Sequence, residues 1–264
     1  KLVTGVQTCA LPISQALANA PTPRLAWQRL QLQHQLGEGA SGVIRQAVLH
    51  TDSGEQAVAV KLFKGAVTSD GLPDCEMAAC MHAGAHPHLV SALARVCDHP
   101  DNQQALVMPL IAPEFVNLAS PPSLESCTRD VHAQDKRFDW PTTLRIARGM
   151  ASATWHLHAR GILHGDLYAH NILHTAEGDA LLSDFGAAAF FDVNDTARAQ
   201  GLEQLEVRAL GCLLEELATQ CDATAHEAHL HHALTQLAQA CMGDEPAQRP
   251  RLAQVCDALK ALHA

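Results

Sequence analysis

The stretch ILHGDLYAHNIL (residues 162–173), followed closely by LLSDFG (residues 181–186), decides the fold of this chain. It places Asp166 and Asn171 five residues apart on a predicted loop, and Asp184 after a short predicted hairpin. Oxygen ligands of this kind are preferred by Mg²⁺, which usually keeps several waters and bridges substrate phosphates. The stretch therefore predicts three oxygen-bearing side chains around one point.

A glycine-rich loop, GEGASG (residues 37–42), lies far upstream, directly after a segment that alternates apolar and polar side chains like a half-buried strand. Glycines at positions 37, 39 and 42 let backbone amides approach a polyphosphate without side-chain interference. A dinucleotide-binding loop would open a helix at its third glycine, whereas β-type residues follow here. By itself, the loop does not exclude an ordinary hairpin turn.

The next predicted strand, AVAVK (residues 57–61), ends in a lysine. The aliphatic part of Lys61 can lie on the sheet while its ammonium group reaches into a cleft. Such a charge needs an anionic partner, and Glu76, 15 residues downstream in a short predicted helix, is the candidate. A solvated lysine at a strand end is the alternative.

The remaining chain divides into a β-rich half and a helical half. Predicted strands cover residues 30–36, 43–49, 57–63, 90–96 and 105–110, with a helix over 74–82 between the third and the fourth. Residues 113–140 are rich in loop formers, and helical periodicity dominates from there to the C-terminus. The pattern predicts an α+β fold with a boundary near residue 112.

Composition excludes several classes of protein. With 264 residues, 47% of them hydrophobic, the chain is neither disordered nor a coiled coil. The formal net charge of −10 argues against a nucleic-acid or an anionic membrane partner, and no apolar run approaches the roughly 18 residues of a membrane helix. The 17 histidines are expected to be scattered surface residues rather than metal ligands.

The nine cysteines form no C-x-x-C pair, which favours free thiols in a reducing cytoplasm over disulfides or zinc sites. Five of them lie among aliphatic residues and are expected to act as small core hydrophobes. These are Cys80, Cys97, Cys212, Cys241 and Cys256.

The first residues are excluded from the functional interpretation. Residues 3–13, VTGVQTCALPI, resemble the conceptual translation of a sequencing-adapter oligonucleotide. We therefore expect residues 1–27 to be an artefactual segment and a linker, and any upstream domain to be missing.

Taken together, GEGASG, AVAVK, HGDLYAHN and DFG resemble the motifs of the eukaryotic-like protein kinases, in the same order, and the resemblance covers about residues 28–264. It implies a two-lobed kinase-like fold, with a small β-rich N-lobe (about 28–112) and a larger α-helical C-lobe (about 113–264). It also implies ATP and Mg²⁺ as cofactors and transfer of the γ-phosphoryl group to a protein hydroxyl, with serine or threonine favoured over tyrosine. Other proteins, and this protein itself, are the expected substrates.

The resemblance assigns roles to single positions. Lys61, held by Glu76, would contact the α- and β-phosphates, and Asp166 would orient the substrate hydroxyl and accept its proton. Asn171 and Asp184 would hold Mg²⁺. The remaining nucleotide-binding positions, with Met108 as the gatekeeper residue and 109–111 as the hinge, would be Gly37, Gly39, Gly42, Ile44, Ala59, Met108, Leu110 and Ile111.

The chain departs from the family pattern where kinases are usually regulated. Gly165 replaces the arginine that pairs with a phosphorylated activation loop, Thr196 is the sole hydroxyl residue between Gly186 and Glu206, and no A-P-E tripeptide occurs. We therefore expect activity without loop phosphorylation. Glu206 stands where the family has an aspartate that braces the catalytic loop.

Two further departures concern the partner of an arginine and the choice of substrate. Arg249 resembles the arginine that normally pairs with the A-P-E glutamate, and Glu203 is its expected replacement partner. Tyr168 replaces the lysine of serine/threonine kinases, and His-Gly-Asp also occurs in small-molecule phosphotransferases such as aminoglycoside and choline kinases. A small-molecule kinase and a catalytically silent binding module are thus the alternatives.

The loop further resembles kinase domains joined to leucine-rich repeats, which suggests such repeats upstream.

Overall fold

The computed structural model describes residues 23–39, 41–65, 72–127 and 129–262. The expected artefactual segment therefore lies largely outside the described residues. The chain forms two compact units. The first unit comprises the described residues up to His86 together with Val90–Ala112 and Asp184–Phe190, and the second comprises Pro87–Leu89, Pro113–Ser183 and the described residues from Phe191 onward.

The first unit is built on a six-stranded sheet with strand order β1-β5-β6-β4-β3-β2. All neighbours pair antiparallel except β1 and β5, which are parallel. The strands are β1 (Arg24–Leu25), β2 (Leu30–Glu38), β3 (Gly42–Thr51), β4 (Gly54–Phe63), β5 (Ala94–Val96) and β6 (Ala105–Pro109). The strands predicted over residues 30–36, 43–49 and 57–63 are confirmed, and they pair antiparallel as neighbours. The strand expected over residues 90–96 is shorter, because only its last three residues join the sheet.

One face of this sheet carries the core of the first unit. Val58 and Val60 on β4 are fully buried, and their neighbours Ala59 and Lys61 point to the opposite face because successive strand residues alternate. The apolar cluster on the Val58 face includes Ala47 and Val107 from the flanking strands. The helix of this unit, α1 (Pro73–Ala83), starts with a proline in its first turn.

The second unit is mainly helical. Its helices are α2 (Trp140–His158), α3 (Thr196–Thr219), α4 (Ala228–Met242) and α5 (Leu252–Ala261). Asp139 caps α2 by accepting a hydrogen bond from the Thr142 amide, and Pro141 occupies the first turn. The helical periodicity predicted for this part of the chain is confirmed in α2, where Ile146 and Met150, four residues apart, are both fully buried.

Short strands complete the description: β7 (Val116–Asn117), β8 (Ile162–Leu163), β9 (Ile172–His174), β10 (Ala180–Leu182) and β11 (Ala189–Phe190). In the second unit β7, β9 and β10 form an antiparallel sheet, in which Leu173 pairs with Leu181. The β9–β10 hairpin anchors the end of the HGD loop, our name for residues 164–171.

The eight cysteines of the described part are all free. Cys80 and Cys241 are buried as expected, and Cys212 and Cys256 are partly buried. The prediction for Cys97 is wrong: it is exposed, because it lies one residue beyond the end of β5. Within the described residues, no helix combines the length and apolar character that crossing a membrane requires.

Gly161 lies in the turn after α2, where the backbone of the second unit is closely packed. Its φ is +68°, and an added Cβ would lie 2.5 Å from the Phe191 carbonyl oxygen. We expect Gly161→Ala to lower the free energy of unfolding by about 2–4 kcal/mol, because the left-handed backbone and the clash add. Urea denaturation followed by circular dichroism measures this change.

Gly201→Ala is the matched control for that variant. Gly201 lies inside α3, and a Cβ added there would meet no described atom within 4 Å outside its own stretch of helix. The same substitution should raise stability there by about 0.5–1 kcal/mol, because alanine restricts the unfolded chain and favours a helix. Equal effects at the two positions would contradict the packing assigned to Gly161.

Candidate active site

The glycine loop connects β2 to β3. Gly39 donates its amide to the Gly42 carbonyl at 2.9 Å, and the Lys64 ammonium donates to the Gly39 carbonyl at 3.0 Å. An added Cβ at Gly42 would lie 2.5 Å from the Leu62 carbonyl oxygen, so only glycine fits there, whereas the corresponding space at Gly37 and Gly39 is open. The loop thus leaves room for a ligand beside its backbone.

Lys61 and Glu76 form a buried ion pair within the first unit. Lys61 lies on β4 and Glu76 on α1, and their side chains are 9% and 7% exposed. The Lys61 ammonium donates to Glu76 Oε1 and also lies 5.2 Å from the centre of the Phe63 ring. Burial and the charge of Glu76 raise the pKa of the nearby Cys80 thiol to about 12. The pair expected from the sequence is therefore formed.

The other predicted nucleotide-binding residues of the sheet share the face of Lys61. Ile44 is the register partner of Lys61, and Met108 is the register partner of Ala59. Paired residues point to the same face, as do residues two apart on one strand, so these side chains lie opposite the apolar cluster. Leu110 and Ile111, which follow β6, are partly buried.

In the second unit the HGD loop orients Asp166 through Asn171. Asn171 Nδ2 donates to Asp166 Oδ2 at 2.8 Å and to the Asp166 carbonyl at 3.0 Å. The Asn171 carbonyl accepts from the amide and the hydroxyl of Ser183 at 2.9 and 2.8 Å. The two predicted residues are thus brought together, and Asn171 is tied to the end of the β9–β10 hairpin.

His164 adds a third connection inside this loop. Its Nδ1 accepts from the Asp166 amide at 3.3 Å, and its Nε2 lies 3.0 Å from the Ser183 carbonyl oxygen. Because a carbonyl can only accept, these partners indicate the neutral tautomer with its proton on Nε2. The fully buried imidazole therefore links the loop to the residue before Asp184.

Glu206 braces the start of the HGD loop, as the sequence suggested. It is 3% exposed on α3, and its carboxylate accepts from the amides of His164 and Gly165 at 3.1 and 2.8 Å. His158 Nε2 lies 2.6 Å from the same carboxylate. Burial by itself would raise the pKa of Glu206, but the hydrogen bond and charge of His158, with the Gly165 amide, outweigh burial and lower it.

Asp130 is a second brace that sequence reasoning missed. Its side chain is fully buried; its Oδ2 accepts from the His170 amide at 2.9 Å, and its Oδ1 lies 2.8 Å from His170 Nδ1. Asn117 Nδ2 donates to the His170 carbonyl at 2.8 Å. Asp130 belongs to the loop-rich stretch 113–140, where no periodicity or motif distinguishes one acidic residue from another.

The DFG segment, residues 184–186, belongs to the first unit. Asp184 is exposed and adopts a left-handed backbone with φ of 57°, and its Oδ1 accepts from the Gly186 amide at 3.0 Å. Phe185 is buried. Nine residues separate Gly186 from α3, which begins at Thr196 with Asp195 as its cap.

The expected pairing of Arg249 with Glu203 is wrong. Arg249 donates to the carbonyls of Gly243 and Gln204, both at 2.8 Å. Glu203 instead pairs with Arg251 and accepts from the Leu252 amide at 2.7 Å. The buried Arg249 side chain satisfies its donors with backbone carbonyls, so it needs no carboxylate.

Two substituted positions of the loop differ in their surroundings. Gly165 has φ of 80°, a backbone region that favours glycine. Tyr168 is 39% exposed, and its ring centre lies 5.6 Å from that of His170. The side chain of Tyr168 is therefore available to a ligand.

Comparisons with known proteins agree with these motifs. The family model described as protein tyrosine and serine/threonine kinase matches residues 30–219. CBL-interacting protein kinase 22 of Oryza sativa subsp. japonica is 33% identical over 175 residues, which are 63% of this chain and 38% of that protein.

Two other relatives carry more specific names. A probable LRR receptor-like serine/threonine-protein kinase of Arabidopsis thaliana is 28% identical over 235 residues, which are 78% of this chain and 36% of that protein. The tyrosine-protein kinase receptor TYRO3 of Gallus gallus is 29% identical over 203 residues, or 72% and 22% of the two chains. This chain thus spans less than two fifths of each relative's length.

The brace formed by Glu206 predicts a pH-dependent contribution to stability. Because the folded-state pKa is below the ordinary 4.5, this contribution is fully present above pH 4.5 and is lost as the pH falls through the folded pKa. We expect Glu206→Gln to lower the free energy of unfolding by about 2 kcal/mol at pH 7, because one of the buried amides that donate to the carboxylate loses its acceptor.

Urea denaturation from pH 7 to pH 3 measures this effect as the difference between wild type and variant. The difference should shrink on acidification. Glu114→Gln, at an exposed glutamate, serves as control and should change little at any pH. A difference that is constant across the pH range would contradict an ionised Glu206.

Proposed function

Since the chain belongs to the protein tyrosine and serine/threonine kinase family, we propose that it transfers the γ-phosphoryl group of ATP to a hydroxyl of a protein substrate, with serine and threonine preferred over tyrosine. The observation that carries this proposal is the hydrogen-bonded pair of Asp166 and Asn171 on the braced HGD loop. The preference for serine and threonine is supported by the similarity to the probable LRR receptor-like serine/threonine-protein kinase of Arabidopsis thaliana, which extends over 78% of this chain.

In this proposal the first unit supplies the groups that hold the nucleotide. Lys61, fixed by Glu76, would bind the α- and β-phosphates, and the amides of the glycine loop would cover them. The buried ion pair fixes the position of the ammonium group before ATP arrives, which lowers the cost of organising charge during the reaction. Ala59 and Met108, paired in register, would line the adenine pocket.

Asp166 acts on the acceptor hydroxyl in the second unit. The hydroxyl oxygen forms a bond to the γ-phosphorus while the bond from that phosphorus to the bridging oxygen breaks, so that ADP leaves. The proton of the hydroxyl passes to the Asp166 carboxylate, which Asn171 keeps in place.

The residues present fit Mg²⁺. Both Asn171 hydrogen bonds to Asp166 use Nδ2, which leaves the amide oxygen Oδ1 for another partner, and Asp184 offers a carboxylate. Oxygen ligands of this type suit Mg²⁺. We therefore propose that Asn171 and Asp184 hold the ion, which when bound neutralises the charge that develops on the phosphates.

We also propose that the protein acts without phosphorylation of its activation segment. Gly165 provides no cation that could bind a phosphate, and Thr196 lies in the first turn of α3. The HGD loop is instead fixed by two internal carboxylates, Glu206 and Asp130.

Free thiols at all eight described cysteines support a reducing, cytoplasmic location.

A small-molecule phosphotransferase is the second candidate. It is favoured by the combination of His-Gly-Asp with an early start of α3, because only nine residues separate Gly186 from that helix. Little chain is then left to support an extended peptide substrate. ADP release that appears only with a sugar or an amine substrate would favour this candidate.

The proposal is tested with radiolabelled ATP, generic protein substrates and the chain itself, followed by phosphoamino-acid analysis. We expect labelled phosphoserine and phosphothreonine. Asp166→Asn and Lys61→Met should each lower the rate about 10²-fold or more, because each removes a preorganised charge. Circular dichroism should show that both variants are folded without urea, although Lys61→Met should unfold at lower urea because Glu76 then lacks its buried partner.

Two surface variants control for these substitutions. Lys260 and Asp257 form an exposed pair on α5, so Lys260→Met and Asp257→Asn repeat the chemical changes away from the predicted site. They should keep full activity. Near wild-type activity of both Asp166→Asn and Lys61→Met would refute the assignment.

The proposed regulation gives a separate prediction. Freshly purified protein should be active after phosphatase treatment, and Thr196→Ala should retain the wild-type rate. The reason is that the HGD loop is fixed by contacts with the Glu206 and Asp130 carboxylates and not by contacts with a phosphate. Mass spectrometry verifies the unphosphorylated state, and the radiolabel assay gives the rate. Protein that is silenced by phosphatase and restored by preincubation with ATP would contradict this prediction.

A further inference from the structure

A pocket of about 570 Å³ lies on the second unit, along α2 and the second half of α5. None of the residues proposed above for ATP, Mg²⁺ or the acceptor hydroxyl lines it. Its volume is in the range of about 300–1,000 Å³ that is typical of small-molecule sites. The walls include Trp140, Leu144 and Trp155, so most of the surface offered to a ligand is apolar.

The pocket is positively charged although the chain has a net charge of −10. Arg145, Arg148 and Lys260 line it, and no acidic residue of the described chain does. Arg145 and Lys260 each have a carboxylate neighbour that does not line the pocket, Asp179 at 3.9 Å and Asp257 at 3.2 Å. The pocket therefore combines an apolar wall with cations.

Arg148 is held at the pocket wall by backbone carbonyls. Its guanidinium donates to the carbonyls of Leu259, Lys260 and Leu262, and it forms no ion pair with a carboxylate in the described residues. These carbonyls belong to the C-terminal end of α5, which carries about half a negative elementary charge. A net positive charge is left at the pocket wall.

We propose that this pocket binds a compact organic anion, with an aromatic or aliphatic body against the tryptophans and a carboxylate or sulfonate beside the cations. This site is independent of the proposed kinase activity. Nothing in the proposal requires ATP.

The test uses two probes with the same apolar body. 8-Anilinonaphthalene-1-sulfonate carries the anion, and N-phenyl-1-naphthylamine lacks it. Titration of the full chain, followed by probe fluorescence, should show one sulfonate probe bound per chain and at least about fivefold weaker binding of the neutral probe. Displacement of the sulfonate probe by ATP with Mg²⁺, or equal affinity of both probes, would overturn the proposal.

Charge reversal at the pocket locates the site. Arg145→Glu combined with Lys260→Glu should weaken the sulfonate probe about tenfold and leave the neutral probe unchanged, since like charges then face the anion. Both side chains are largely exposed, so the fold should persist. Arg137→Glu, at an exposed arginine outside the pocket, is the matched control and should bind as wild type. Unchanged sulfonate binding in the double variant would overturn the proposal.

One further measurement completes the test. Sedimentation shows whether a second copy of the chain covers the pocket instead. A dimer that the double variant dissociates would replace the small anion as the occupant.

Discussion

The HGD loop depends on one buried charge. Glu206 is almost completely inaccessible to water, and it remains ionised only because two backbone amides and His158 surround it. A buried ion that loses such partners is strongly destabilising, so α3 and the loop are fixed relative to each other within the second unit. Since Gly165 is one of the two amide donors, the residue before Asp166 is held directly. The position of the proposed catalytic carboxylate thus follows from the position of a helix about 40 residues downstream.

Asp130 fixes the other end of the same loop by its contacts with His170. Within the loop, the Asn171 side chain donates to the Asp166 carboxylate, and His164 Nδ1 accepts from the Asp166 amide. All of these hydrogen bonds join groups of the protein itself. For a phosphoryl transfer, which demands positioning and charge stabilisation rather than covalent chemistry, such preorganisation is the main thing a protein can contribute.

Local patterns in the sequence predicted the elements that carry the site, but not all of its long-range contacts. The sequence predicted Lys61 on a strand with Glu76 as its partner, as the structure shows. Asp130 and the Arg251 partner of Glu203 could not be predicted, because both pairings join segments at least 40 residues apart without periodicity. Arg249 and Arg251 are two residues apart, and only the packing decides which of them meets a carboxylate and which meets carbonyls.

The departures at Gly165 and in the segment before α3 support one another. A cation at position 165 would be useful only if a phosphate could reach it, and the short segment after Gly186 offers a single hydroxyl residue, which already belongs to a helix. A glycine also suits the left-handed backbone found there, with φ of 80°, whereas a side chain would strain it. In the proposed mechanism, the carboxylates of Glu206 and Asp130 take the place of the charge that a phosphate would bring, and they bind backbone amides instead of an arginine. These contacts support the proposed activity without phosphorylation of the segment before α3.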